Sequence, residues 1–308
     1  MTNSGSGPKA SDGGQPTLDL KTHKYQDRIP IWNRLDFGTK GRIVDIAHHG
    51  VLLVFIALIV FPLYWMVSTA LRPEQQMFTR PIPYVPRTVS LKHYTEILLN
   101  SDIPLYYFNS LSIALGVVLV TVVAATLAGY GLSRIDIPRK KLFARGILFG
   151  YMFPSILLAI PLFIFWRQLG IIDSRIGIIL AESAKTLPFS VWLMWKFFDA
   201  VPESLEESAI MAGATRFRAF YEIALPRAKP GVVAIAILAF ATSWDEFTIP
   251  KILAPSQDMW VLTVGLSSLV EQNQVLWGQM MAACSLILIP SFLFVFFLQE
   301  HMLRGLRM

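Results

Sequence analysis

Long runs without charge dominate the pattern of apolar and polar positions along the chain. No Asp, Glu, Lys or Arg occurs from Val51 to Leu71, Ile103 to Ser133, Gly146 to Trp166, Pro230 to Trp244 or Gln272 to Gln299. A further apolar run, Ile176 to Phe198, is interrupted only by Glu182, Lys185 and Lys196. About 20 helical residues cross about 30 Å of hydrocarbon. The pattern therefore predicts six spans, near residues 50–71, 107–132, 144–166, 176–198, 230–252 and 278–299. Pro62, Pro154, Pro161, Pro188, Pro250 and Pro290 lie in or at the end of these runs. Neighbouring helices re-satisfy the backbone around a membrane proline, so kinks are expected here and breaks are not.

Composition agrees with this pattern. The chain is 54% hydrophobic and 16% charged, with a mean hydropathy of +0.51, more apolar and less charged than soluble domains. The fold class is an all-α integral membrane protein with six transmembrane helices. Lys and Arg set its orientation: with the amino terminus cytoplasmic, nineteen fall in inside segments and seven outside, and Lys185 is buried. Both termini are thus expected in the cytoplasm. The net charge of +6 is a topology signal, and no basic run interleaved with aromatics argues for nucleic acid.

Residues 1 to about 20 are rich in Gly, Ser, Pro and Asp and are expected to be disordered. Tyr25 to Ile46 mixes apolar and basic residues, which suits a segment on the inner membrane surface and equally a solvated linker. Residues 1–45 form this amino-terminal tail and residues 46–308 the membrane domain. The single cysteine, Cys284, excludes an intrachain disulfide and suits packing inside the sixth span. Outside, Ser90 to Leu99 predicts a short helix capped by Ser90. The loop from Lys251 to about Trp277 is long enough to reach an external partner.

One polar stretch, residues 199–229, is stranded between two apolar spans on the cytoplasmic side. Pro202 suits a helix start, Glu203, Glu206 and Glu207 complement its positive end, and Gly213 suits a left-handed stop. A second short helix is expected from a cap at Thr215 to Ala224, ending before Pro226. Leu205, Ala209, Phe217, Phe220 and Tyr221 give the pair an apolar face. The residues alone leave two readings, a docking knob or a hairpin that only links two spans.

The run PESLEESAIMAGATRFRAFYEIALPRAKP resembles the EAA loop of ABC importer permeases, the binding-protein-dependent inner-membrane components. Glu207, Ser208, Ala209, Gly213, Ile223, Leu225 and Pro226 match the pattern, with departures at Ser208, where Ala is usual, and Ala212, where carbohydrate permeases often have Asp. Asn109-Ser110-Leu111, Leu187-Pro188-Phe189 and Ser243-Trp244-Asp245-Glu246-Phe247 are further marks, and the resemblance runs from about residue 45 to 308. It is nearest to the maltose-type carbohydrate permease subunit.

The resemblance implies that the loop docks in a cleft of a separate ATPase and transmits its closure to the permease pair. Glu207 would be the polar anchor and Gly213 the bend, with Ser208, Ala209, Ala214, Phe217, Leu225 and Pro226 completing the contact. It also implies a second, non-identical permease subunit, two ATPase subunits and an extracytoplasmic solute-binding protein, in a bacterial or archaeal cytoplasmic membrane. The chain has no Gly-x-x-x-x-Gly-Lys-Ser/Thr run, so ATP and Mg belong to the partner and no cofactor is expected here. The tail Glu300 to Met308 is a further candidate ATPase contact implied by the resemblance.

Counting along the helices places Glu182, Lys185, Asp245 and Glu246 at similar depth in the membrane, where ionisable groups face a cavity or each other. In one reading they line a solute passage with Ser155, Thr186, Thr242, Ser243 and Trp244, the indole suited to sugar stacking. In the other, Lys185 forms a structural pair with Glu182 or Asp245. The cargo implied by resemblance is a sugar, polyol or sugar derivative. An ion-coupled secondary carrier is the alternative. A membrane enzyme is disfavoured because His48, His49 and His301 lack metal-ligand spacing.

Overall fold

The computed structural model describes residues 37–271 and 276–305, and every element among them is helical. The expected disordered residues 1–20, most of the surface segment 25–46 and the last residues of the carboxy-terminal tail lie outside the described residues. Two compact units are present, Met1–Phe61 and Pro62–Met308. The described part of the first is helix alone, and the second holds the site.

In chain order the helices are α1 (Phe37–Ala70), α2 (Glu74–Met77), α3 (Lys92–Leu99), α4 (Ile103–Arg134), α5 (Lys140–Gly150), α6 (Ser155–Leu169) and α7 (Arg175–Asp199). Then come α8 (Glu203–Met211), α9 (Arg216–Ala219), a π turn (Phe220–Ala224), α10 (Leu225–Arg227) and α11 (Lys229–Trp244). The chain continues with α12 (Thr248–Leu253), a 3-10 turn (Gln257–Met259), α13 (Leu262–Glu271) and α14 (Trp277–Gly305). Four helices are long and apolar enough to cross a membrane: Asp45–Ala70 of α1, α4, α7 and Trp277–Phe297 of α14. Two bent pairs, α5 with α6 and residues 216–227 with α11, raise the number to as many as six if each is one span.

The expectation of kinks without breaks holds at Pro62, Pro161, Pro188 and Pro290, each inside a continuous helix. It fails at Pro154. There α5 and α6 meet at 88°, because Pro154 is extended (φ −65°, ψ 148°) and a proline disfavours helical geometry in the residue before it. It fails again after Trp244, where α11 stops and a new short helix starts at Thr248.

Helices α4 and α7 form the most extensive pair and the spine of the second unit. Close approach depends on a small residue. A Cβ on Gly129 would lie 2.6 Å from Met194 Cβ and 2.8 Å from the Trp195 nitrogen, so only glycine admits this spacing. Ala125, Met194, Trp195, Phe198, Phe220 and Ala224 form a buried cluster at one end of this pair. Ile113, Val117, Ile178, Ala239, Ile249 and Val264 form another farther along.

The loop after α12 does not project freely. Val261, Leu262 and Val264 are buried, and the half-apolar stretch becomes α13, packed against α4. Asn109, fully buried, donates to the Asp258 and Trp260 carbonyls at 2.8 and 2.9 Å and accepts from Arg175 at 2.8 Å. Ser110 Oγ accepts the Leu262 N–H at 2.7 Å. The Asn109-Ser110 pair is thus the staple for the segment 258–262. The α3 helix begins at Lys92, whose N–H is accepted by Ser90 Oγ at 3.2 Å.

Candidate functional site

Helix α8 opens at Pro202 with two glutamates in its first turn, which complement the helix dipole. It ends at Gly213, whose φ of +94° is costly for any side chain. The Gly213 N–H reaches the Ile210 carbonyl and the Ala214 N–H the Ala209 carbonyl, both at 2.9 Å. This paired closure uses up carbonyls the helix end would otherwise leave unmade. Thr215 caps the next helix, its Oγ1 accepting the Arg218 N–H at 3.2 Å. That helical stretch does not end before Pro226. A π turn over Phe220–Ala224 carries it through α10 to Arg227, and the chain then bends by 72° into α11.

The expected apolar face divides into two. Phe220 turns inward against Tyr130 and Phe198, at 4.6 and 6.2 Å between ring centroids, and Leu225 packs on the same cluster. Leu205, Met211, Phe217 and Tyr221 stay exposed, with Phe217 and Tyr221 stacked on each other. Glu207, Ser208, Gly213 and Pro226 are exposed, and Ala209 and Ala214 half-buried.

The two glutamates of the loop have separate fates. Glu207 faces out, while Glu206 is 5% exposed and held by α4. Arg134 donates to Glu206 Oε1 through Nε at 2.8 Å and Nη2 at 2.6 Å, and Tyr130 Oη donates to Oε2 at 2.7 Å. The other guanidinium donors reach the Phe198 and Val201 carbonyls at the end of α7, at 3.2 and 3.0 Å, and Ser133 Oγ at 2.8 Å. One arginine thereby joins the end of α4, the end of α7 and the first turn of α8. Sequence reasoning missed this junction, counting Arg134 only as a topology charge. A Tyr-x-x-x-Arg pair at the end of an apolar run, with two adjacent glutamates in the loop, was the available signal.

The membrane polar residues also group differently from expectation. Lys185 pairs with neither Glu182 nor Asp245. It is bonded to Glu246 Oε2 and, at 2.6 Å, to Ser155 Oγ, which itself donates to Glu246 at 2.9 Å. Glu246 Oε1 accepts the Thr248 and Ile249 N–H groups at 3.0 and 3.4 Å, capping α12. The break after α11 is what turns this carboxylate back to cap α12 and meet Lys185, a placement no helical count predicts. Lys185 remains a quarter exposed.

Glu182 is 2% exposed and accepts a hydrogen bond from Ser243, and its other oxygen has no partner among the described residues. Thr186 is buried against Thr121 at 3.0 Å. Thr242 bonds its own helix at the Leu238 carbonyl. Trp244 is not presented for stacking on a solute: it lies buried on Phe240 and edge-on to Tyr107, its Nε1–H donating to the Ile287 carbonyl at 3.1 Å. Asp245 is exposed. The structure thus brings Ser155, Lys185 and Glu246 into one cluster and Glu182 with Ser243 into another.

The family model for the binding-protein-dependent transport system inner membrane component matches residues 121–308, more than half of the chain. The chain belongs to that family. The permease is 31% identical over 247 residues to the trehalose transport system permease protein SugB of Mycobacterium tuberculosis, covering 80% of this chain and 89% of that protein. It is 28% identical over 247 residues to the diacetylchitobiose uptake system permease protein NgcG of Streptomyces coelicolor, covering 80% and 82%. A solved bacterial ABC transporter involved in import of the acidic polysaccharide alginate superposes with a TM-score of 0.72 at 21% identity, over 85% of this chain and 97% of that one. That likeness establishes the fold. The permease is a multi-pass membrane subunit of an ABC importer.

Proposed function

We propose that the permease forms half of a translocation path for a sugar, polyol or sugar derivative, and takes its drive from a separate ATPase through residues 199–229. The exposed face of α8 and α9 carries this reading: Glu207, Met211, Phe217 and Tyr221 lie open together while Glu206 anchors the helix from behind. The curated relatives named for trehalose and diacetylchitobiose support a saccharide cargo. A non-identical sister permease, two ATPases and a solute-binding protein complete the assembly. The six-span reading, with α5–α6 and residues 216–227 with α11 each counted as one bent span, puts both termini in the cytoplasm with the loop.

Glu207→Ala removes the exposed charge without touching the Arg134 junction. Loss of one partner of a desolvated interfacial charge pair costs about 2–5 kcal/mol. ATPase copurification is therefore expected to weaken about thirtyfold or more, and uptake to fall with it. Gly213→Val forces a β-branched residue to φ +94°, at a cost of about 1–2 kcal/mol. Uptake should drop while the protein remains in the membrane. Unchanged ATPase binding and uptake in both variants would remove the docking role.

A further inference from the structure

A second polar site lies at the end of α7, where the chain enters residues 199–229. Lys141 and Arg145 of α5, Lys196 and Asp199 of α7, and Trp192 and Trp195 line a cavity of about 250 Å³. Three cations meet one carboxylate there. Asp199 already accepts from Ser133 at 3.3 Å, and among the described residues none of the three cations has an ion-pair partner. Lys196 is held over the Trp195 ring at 4.1 Å, a geometry that fixes a cation in place. Trp195 is 5% exposed, so its ring is a fixed wall beside the Lys196 ammonium.

The surroundings say which ligand. Lys141 and Arg145 are four apart, so they share one face of α5. Leu142, Phe143 and Phe149 of the same helix are exposed, and α5 turns 88° from the apolar α6. A helix that carries basic and exposed apolar side chains and turns sharply into an apolar helix has the build of one at the membrane interface. Unpaired cations and an indole beside exposed apolar side chains match both parts of an anionic phospholipid, its phosphate and its acyl chains.

We propose that this cavity binds the phosphate of an anionic phospholipid, with Lys141, Arg145 and Lys196 as charge partners. The lipid would brace α5 against the end of α7, one helical turn from the carbonyl of Phe198 that Arg134 holds. The inference needs only that the permease spans a membrane, and it stands whether or not Glu207 contacts an ATPase.

Native mass spectrometry of the purified complex, titrated with phosphatidylglycerol or with phosphatidylcholine of the same acyl chains, tests it. Each neutralised cation lowers affinity for an anionic headgroup about fivefold, so Lys141→Gln with Lys196→Gln should weaken phosphatidylglycerol about twenty-five-fold and leave phosphatidylcholine unchanged. Equal phosphatidylglycerol affinity in wild type and the double variant overturns the proposal. So does full displacement by millimolar inorganic phosphate, which would make the ligand a free anion. Loss of the ATPase from the double variant with lipid binding intact would reassign the surface to protein docking.

Discussion

Replacing Arg134 with alanine is expected to separate ATP hydrolysis from uptake. The substitution leaves Glu206 charged and buried, and frees the Phe198 and Val201 carbonyls at the end of α7. Removing one partner of a buried pair costs about 3–5 kcal/mol, because the remaining charge is uncompensated. More than stability is lost, since this guanidinium makes most of the bonds that tie α8 and the end of α7 to α4, and Tyr130 Oη keeps one bond to Glu206. With α8 as the proposed ATPase contact, its movement is then passed less fully to the spine, so hydrolysis by an assembled complex should persist while uptake per ATP falls at least tenfold. Arg134→Lys keeps the charge and loses the two-pronged contact, and should fall between wild type and alanine. A double-mutant cycle with Glu206→Ala should return a coupling energy near the upper end of the 0.5–3 kcal/mol range for contacting residues, about 2–3 kcal/mol. Uptake and hydrolysis measured on the same proteoliposomes distinguish this from simple unfolding, which lowers both together.

Lys185→Ala is expected to have the next largest effect. It strands the Glu246 carboxylate, 7% exposed, beside Ser155 and the start of α12. The cost is again about 3–5 kcal/mol. In a chain of this size that corresponds to an unfolding temperature about 5–8 °C lower in detergent. Glu246→Gln in the same chain removes the stranded charge and keeps an acceptor for the α12 cap, so it should recover most of the loss. If the pair also lines the passage, the stabilised double variant still transports poorly, and thermal stability and uptake part company. Recovery of both would make the cluster structural. The cluster bridges the two helix breaks, at Pro154 and after Trp244, so it holds irregular backbone in place.

The helices with long charge-free runs were legible in the sequence because hydrocarbon thickness sets their length directly. The end of α8 was legible too, since a glycine between a helical run and a threonine cap has few other uses. The break at Pro154 was not, because a proline in an apolar run marks a kink and a break in the same way. Which it becomes depends on neighbouring packing. Glu246 and Lys185 could be placed at one depth but not paired, because the turn after Trp244 sets the direction of the carboxylate. Arg134 was hidden for a different reason: positive charge at a cytoplasmic helix end is expected on topological grounds alone, and its bonds to Glu206, Phe198 and Val201 join segments more than sixty residues apart.

Solute uptake into proteoliposomes holding the permease with its sister permease, ATPases and loaded binding protein tests the central claim most directly. Uptake is expected to require ATP on the ATPase side, to continue when ionophores collapse every ion gradient, and to fall at least tenfold per ATP in the Arg134→Ala complex while hydrolysis continues. Uptake without ATP that vanishes with the ion gradient would contradict it.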